Sequence, residues 1–249
     1  MSSEISSSID SSKNDRPRQI ITEGVEAGWP ICLGYVPIGL AFGVLAQKAG
    51  LGVLEVGLMS LLVFAGSAQF IAVSMIGSGA ASLSIVLTTL IVNLRHVLMS
   101  SSLAVFLGRV DRSLLSLFAY GVTDESFAVN MTRFREGEWT PHRALVVNHI
   151  ANFVWIVSTM IGAYGGHFIP AGSFGIDYAL SAMFLSLMVF QLRGRIYVIT
   201  GLLAGLFAIL FAMLIPGNAY VILASLLAAT SGFLLKRFGR KKMPYDARF

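Results

Sequence analysis

The chain alternates between long apolar runs and short polar segments. The runs are continuous rather than alternating apolar and polar positions, which favours helices over the strands of a barrel. Most are close to the length of about 20 residues that a helix needs to cross a hydrocarbon core of about 30 Å. The runs occupy 28–47, 53–76, 82–107, 144–169, 176–192, 196–215 and 219–235. We predict an all-α, polytopic integral membrane bundle of about seven or eight transmembrane helices, some of them broken.

The composition agrees with this prediction. Hydrophobic residues make up 55% of the chain and charged residues 12%, against about 25% charged in soluble domains. The formal net charge of +5 is concentrated beside the first and last runs. By the positive-inside rule both ends are therefore expected in the cytoplasm. These basic segments are short tails, not a folded basic face, so they do not indicate nucleic-acid binding.

Three segments are predicted from these boundaries. Residues 1–22 are polar and rich in serine and have no apolar core of a signal peptide, so we expect a disordered cytoplasmic tail. Residues 23–236 form the transmembrane domain, and 237–249 form a basic cytoplasmic tail. The single cysteine, Cys32, lies in the first run and is expected to be a small buried hydrophobe.

Loop charges orient the second half of the chain and leave two topologies open in the first half. If every apolar segment between 53 and 131 crosses the membrane, Arg109 and Arg112 lie outside, against the positive-inside rule. If 53–76 enters and returns, and 114–131 is re-entrant, both arginines lie inside. The first topology has eight crossings and the second has six.

A weak internal similarity suggests two related halves. The segment SLLVF at 60–64 resembles SLMVF at 186–190. Duplicated halves are common in transporters, where the binding site lies between them. The match is short and apolar, so chance explains it equally well.

Two adjacent carboxylates, Asp124 and Glu125, interrupt the apolar segment 114–131. Each costs roughly 2.5–3.5 kcal/mol at the centre of a spanning helix unless protein or water solvates it. Gly121 can end one helix and Thr123 can cap the next, where the helix dipole stabilises negative charge. The pair indicates movement of a polar solute; the alternative is a capped helix at the interface with both acids in water.

A second polar group lies midway along the run 53–76. Gly66 and Ser67 can break a helix there, and Ser67 can cap the half that restarts. The exposed N–H groups of such a restart suit a carboxylate ligand, and Gln69 adds an amide that donates and accepts. The alternative is close helix packing through small residues, with Gln69 bonded to a neighbouring helix.

A third polar group lies inside the run 82–107. Asn93 and His96 share one helix face, whereas Arg95 points elsewhere and should meet a carboxylate or a water-filled cavity. Its position deep in the run prevents Arg95 from extending to the membrane surface. The alternative is a structural ion pair with one of the two acidic side chains.

Helix-breaking residues also occur in the first run. Pro37 and Gly39 predict a kinked or broken first helix. A kink is the favoured role, and backbone contact with a substrate is the alternative.

Taken together, these motifs resemble the AzlC family, the large subunit of bacterial branched-chain amino acid exporters. They occur in the order of that family and cover roughly residues 24–132. The matching pieces are GWP at 28–30, GYVPIG at 34–39, FG at 42–43, Ser60, AGSAQF at 65–70, NLRH at 93–96, Met99 and TDESFA at 123–128.

The resemblance implies export of valine, leucine, isoleucine and related apolar amino acids such as methionine across the bacterial cell (inner) membrane. It also implies a small hydrophobic second subunit of the AzlD type. We expect no enzyme activity, no metal and no cofactor.

An apolar amino acid needs an anion for its ammonium group, donors for its carboxylate and an apolar pocket for its side chain. We assign the ammonium to Asp124 or Glu125, and the carboxylate to the helix break at Gly66 and Ser67 together with Gln69. Arg95 is expected to pair with the acid when the site is empty, and Asn93 and His96 are expected to orient it.

Energy coupling is predicted from what the sequence lacks. It has no Walker A motif, so a carrier driven by the proton gradient is expected, with Asp124, Glu125 and His96 as proton carriers. The alternative function is a passive channel for small polar solutes, since broken helices also build selectivity filters. A hydrolase using Ser67 is disfavoured, because no base is fixed beside it and the nucleophile-elbow glycines are absent.

Overall fold

A computed structural model of the chain describes residues 17–108, 110–137, 139–169, 195–214 and 219–240, together with Tyr178, Leu185 and Val189. The chain divides into two compact units, Met1–Ser181 and Ala182–Phe249. The elements of the described residues are helices: α1 Pro17–Lys48, α2 Val53–Leu62, α3 Gly66–Gly77, α4 Ser82–Leu107, α5 Arg112–Tyr120, α6 Asp124–Glu136, α7 Pro141–Gly166, α8 Arg195–Leu214 and α9 Ala219–Arg240.

Among the described residues, four helices are long and apolar enough to cross a membrane. They are Pro17–Lys48, Ser82–Leu107, Pro141–Gly166 and Ile196–Leu214. Two shorter apolar helices, Val53–Leu62 and Gly66–Gly77, divide one predicted run between them. The predicted all-α membrane bundle with broken helices is confirmed.

Helices α1 and α7 make the most extensive helix contact of the first unit. Small residues dominate the face that α1 buries, which includes Gly24, Gly28, Gly39 and Gly43. Lipid gives no hydrophobic driving force between helices, so small residues stabilise their association by allowing close van der Waals packing.

The distances show how close the two backbones are. A Cβ added at Gly43 would lie 2.1 Å from the carbonyl oxygen of Thr159, and one added at Gly162 would lie 2.2 Å from that of Leu40. At Gly39, an added Cβ would lie 2.0 Å from the hydroxyl oxygen of Ser158. Glycine is therefore required where α1 crosses α7.

Pro37 and Gly39 predict a kink or a break, with the kink favoured, and of these two the break does not occur. Helix α1 is continuous from Pro17 to Lys48 and contains both Pro30 and Pro37. Neighbouring helices allow proline within a membrane helix because they help to satisfy the freed backbone groups. Gly39 is instead a packing residue in the contact with α7.

Two predicted runs are each divided into a pair of short helices. The run 53–76 is divided between α2 and α3, and the segment 114–131 falls on α5 and α6. These are the two segments on which the six-crossing and eight-crossing topologies differ. Arg109, which would help to choose between them, lies outside the described residues.

In the second unit, α8 packs against α9. Ala224 and Ala228 of α9 are buried, and a Cβ added at Gly232 would lie 2.6 Å from the hydroxyl oxygen of Thr200. Small residues four positions apart on α9 thus allow this pair of helices to pack closely.

Several predictions of domain organisation stay predictions. Helix α1 begins at Pro17, within the segment 1–22, and α9 extends to Arg240, within the segment 237–249. The second copy of the suggested repeat, 186–190, lies outside the described residues except for Val189.

Replacing Gly43 by alanine is expected to destabilise the first unit by about 1–3 kcal/mol, because the new Cβ would overpack the contact with α7. The matched control is Gly34→Ala in the same helix, where an added Cβ has no heavy atom within 4 Å. Thermal unfolding midpoints of the two purified variants in detergent test this expectation. Equal midpoints would contradict the role of Gly43 in helix packing.

Candidate functional site

The helix break between α2 and α3 is centred on Phe64. This residue has φ of 31°, in the left-handed region that non-glycine residues rarely adopt. Ala65 is the N-cap of α3 and offers no side-chain acceptor to the first N–H groups of that helix. The break therefore comes just before Gly66, and Ser67 is not the cap but lies in the first turn of α3.

Helix α6 begins with a capping box and two acids. Thr123 is the N-cap: its hydroxyl accepts from the Ser126 N–H, and the Ser126 hydroxyl accepts from the Thr123 N–H. Asp124 and Glu125 occupy the first turn, where the helix dipole stabilises their charge. Gly121 separates this helix from α5 as the C-cap of α5.

Arg95 of α4 joins the starts of these two helices. Its Nη1 lies 2.7 Å from Asp124 Oδ2, and its Nη2 donates to the hydroxyl of Ser67. The side chains of Arg95 and Asp124 are each 30% exposed. The ion pair considered for Arg95 is thus formed with Asp124, and it brings the first turns of α3 and α6 to the same guanidinium.

Glu125 has a different partner. The hydroxyl of Tyr35, on α1, lies 2.8 Å from Glu125 Oε2 and 2.9 Å from the hydroxyl oxygen of Thr123. Tyr35 is buried, and its ring packs edge-on against Phe64 and Trp155. One tyrosine therefore contacts the acid, the N-cap of its helix and the residue at the break.

Asn93 and His96 are the other two candidate residues of α4. Arg95 and Glu125 are the charged side chains that act electrostatically on His96. The side-chain oxygen of Asn93 is buried and has no hydrogen-bond partner among the described residues. Both residues are partly buried, and their roles at the site stay predictions.

Gln69 belongs to a separate buried network. It is 0% exposed; its Nε2 donates to the Ser60 hydroxyl at 3.1 Å and its Oε1 accepts from Trp155 Nε1 at 2.9 Å. The Ser60 and Thr159 hydroxyl oxygens lie 2.8 Å apart. Both ends of its amide are bonded to protein groups on α2 and α7, as the alternative of a bond to neighbouring helices expects.

Gly66 and Gly121 lie at tight contacts beside these groups. A Cβ at Gly66 would lie 3.3 Å from the ring of Trp155, and one at Gly121 would lie 2.7 Å from Cβ of Asn148. The side chain of Asn148, on α7, is fully buried. Its oxygen accepts from Asn130 Nδ2 of α6 at 2.9 Å, and its nitrogen donates to the Phe118 carbonyl oxygen of α5 at 3.2 Å. These two hydrogen bonds attach α6 and the end of α5 to α7.

Sequence reasoning missed Tyr35, Trp155 and Asn130 as contributors to this region. Tyr35 and Glu125 are 90 positions apart, and Trp155 and Gln69 are 86 apart. Residue spacing within one helix predicts contacts along that helix but not contacts between distant segments of the chain. The only available signal was that a tyrosine and a tryptophan, each with a polar group, occur inside apolar runs, where a buried polar group needs a partner.

Replacing Gln69 by leucine is expected to lower the free energy of unfolding by about 1–3 kcal/mol, because Trp155 Nε1 and the Ser60 hydroxyl lose a partner. The matched control is Thr89→Ala, which removes a hydroxyl bonded to backbone carbonyls of its own helix. The measurement is the thermal unfolding midpoint in detergent. A leucine variant as stable as the control would show that the amide is not structural.

Comparisons with known proteins give the relationships of the chain. A model of the AzlC protein family matches residues 30–169, more than half of the chain. "Inner membrane protein YgaZ" of Escherichia coli is 31% identical over 77% of this chain and 84% of its own length. An "uncharacterized membrane protein" of Archaeoglobus fulgidus is 30% identical over 82% of this chain and 90% of its own length.

"Branched-chain amino acid transport protein AzlC" of Bacillus subtilis is 27% identical over 79% of this chain and 78% of its own length. No solved structure matches the chain. The matched region 30–169 includes all the residues that form the site around Arg95. The chain is therefore a membrane protein of the AzlC family.

Proposed function

We propose that this protein is a secondary transporter that exports branched-chain amino acids across the bacterial cytoplasmic membrane. The observation that carries the proposal is the group in which Arg95 contacts both Asp124 and Ser67, at the first turns of two short helices. Charged groups inside a membrane segment are costly and usually mark a transport pathway. The Bacillus subtilis relative, named a branched-chain amino acid transport protein, supports the substrate class.

The group has a partner for each charge of an amino acid. Asp124 or Glu125 can accept from the ammonium. Arg95, the Ser67 hydroxyl and the first N–H groups of α3 can donate to the carboxylate. Asn93 and His96 would orient these groups. Gln69 is left out of this assignment because its amide is already bonded within the protein.

We include in the proposal the energy coupling and the topology predicted from the sequence, and the partner that the resemblance implies. Transport is driven by the proton gradient, with Asp124, Glu125 and His96 as the proton carriers. Both termini lie in the cytoplasm, as the basic ends of the chain favour. The partner is a small hydrophobic subunit of the AzlD type.

Efflux of preloaded radiolabelled valine from cells expressing the chain tests the function. We expect efflux in the presence of an AzlD-type subunit and its collapse with a protonophore. Saturation with valine concentration and proton dependence would distinguish a carrier from a passive channel. No valine efflux under any condition, with the protein shown to be in the membrane, would overturn the substrate class.

The variant Asp124→Asn is expected to abolish valine efflux while inserting into the membrane at the wild-type level. The change removes a negative charge from the site and leaves the Arg95 guanidinium without its carboxylate. The matched control is Glu136→Gln, which neutralises an exposed carboxylate at the other end of the same helix.

The control is expected to export at close to the wild-type rate, because Glu136 is exposed and its ion pair with the neighbouring Arg133 lies at the helix surface. Immunoblots of isolated membranes give the amount of each variant inserted. Wild-type efflux by Asp124→Asn would remove Asp124 from the transport site.

A further inference from the structure

The two adjacent carboxylates of α6 have partners of different charge. Asp124 is 2.7 Å from the guanidinium of Arg95, a fixed cation. Glu125 is 2.8 Å from the hydroxyl of Tyr35, a neutral donor. Asp124 precedes Glu125 on the same helix, and among the described residues Tyr35 of α1 and His96 of α4 interact with the Glu125 carboxylate.

The proton on Tyr35 can be assigned from the chemistry of its neighbours. A phenol has one proton, and an ionised carboxylate only accepts, so Tyr35 donates to Glu125 Oε2. The Thr123 hydroxyl, 2.9 Å away, can then donate to the oxygen of Tyr35. The hydrogen bond orients Glu125 and uses one of its two carboxylate oxygens, so the other is available for a second donor.

Tyr35 is well placed to hold Glu125 in one position. It is 7% exposed, and its ring centroid lies 5.2 Å from that of Trp155 and 6.4 Å from that of Phe64. It belongs to α1 at the glycine contact with α7, where the Ser158 hydroxyl donates to the Tyr35 carbonyl at 3.4 Å. The ring thus has a fixed support on a helix other than the one that carries the acid.

We infer that Glu125 binds the ammonium group of the substrate, that Tyr35 is the positioning residue for this carboxylate, and that Asp124 remains the counter-ion of Arg95. A cation approaching Asp124 must compete with the guanidinium already bound there. Within the part of the chain that the structure describes, Glu125 forms no ion pair, so a cation approaching it displaces no cationic partner there, and the bond to Tyr35 is kept. This inference rests on the proposed function and specifies which acid performs it.

A pair of ligands that differ only in the ammonium group tests the assignment. L-Valine and 2-hydroxy-3-methylbutanoate share the carboxylate and the side chain, but the second carries a hydroxyl in place of the ammonium. Dissociation constants of both are measured in membranes containing the chain, with and without an AzlD-type subunit. The variants are Glu125→Gln, Asp124→Asn and Tyr35→Phe, with Tyr164→Phe, an exposed tyrosine of α7, as the control.

We expect wild-type protein and the Tyr164→Phe control to bind valine more tightly than the hydroxy acid. Glu125→Gln should lose most of this preference, and lose more of it than Asp124→Asn. Tyr35→Phe keeps the ring and removes the hydrogen bond to Glu125. Hydrogen bonds to charged groups are stronger than those between neutral groups, so valine should bind about tenfold more weakly to this variant. The affinity for the hydroxy acid should not change in Tyr35→Phe.

The preference ratio distinguishes positioning from a purely structural role. A structural defect in Tyr35→Phe would weaken the binding of valine and of the hydroxy acid by the same factor. That result would overturn the positioning role of Tyr35. A preference lost as much in Asp124→Asn as in Glu125→Gln would overturn the division of tasks, with the proposed function still standing. No binding of valine to wild-type protein in either preparation would overturn the proposed function and this inference with it.

Discussion

The close approach of α1 and α7 determines the geometry of the first unit. Glycines in both helices bring the two backbones into contact, and the side chains on either side of this contact form the buried interior of the site. Tyr35 extends from α1 and Trp155 from α7, and their rings meet at 5.2 Å. Without that spacing, the donor for Glu125 and the donor for Gln69 would have different positions.

Charge in a low-dielectric region is the second constraint. A lone arginine within a spanning helix costs several kcal/mol in insertion free energy, but Asp124 compensates the charge of Arg95. Arg95 is paired with Asp124, whereas the neighbouring Glu125 is hydrogen-bonded to the neutral hydroxyl of Tyr35. The adjacent carboxylates of Asp124 and Glu125 thus have different electrostatic environments, one beside a cation and one beside a neutral hydroxyl.

The sequence was sufficient to predict the membrane bundle and the positions of the polar groups along the chain. It was not sufficient to predict most of the hydrogen bonds that these groups form. The fold class follows from the apolar runs, and the starts of α3 and α6 lie within a few residues of the positions that glycine, serine and threonine indicated. Gln69 was assigned to the substrate because an amide in an apolar run reads equally as ligand or as structure. Its complete burial, visible only in the structure, favours the structural role.

Pro37 shows a different limit. Proline at that position predicts a kink or a break on local grounds, and α1 is continuous through it. Neighbouring helices allow such a proline, so the outcome depends on tertiary contacts and not on the local sequence alone. The same applies to Tyr35, whose importance comes from a residue 90 positions away.

Phe64 has a consequence for the energetics of rearrangement. A non-glycine residue held in the left-handed region costs about 1–3 kcal/mol, and here the neighbouring aromatic rings and the break between α2 and α3 hold it there. Any arrangement of this segment that returns Phe64 to negative φ recovers that free energy. A second arrangement of the α2–α3 segment that packs less well but relieves this strain would therefore lie closer in free energy to the present one than packing alone implies. When two conformations differ by only a few kcal/mol, a bound ligand can shift the population from one to the other.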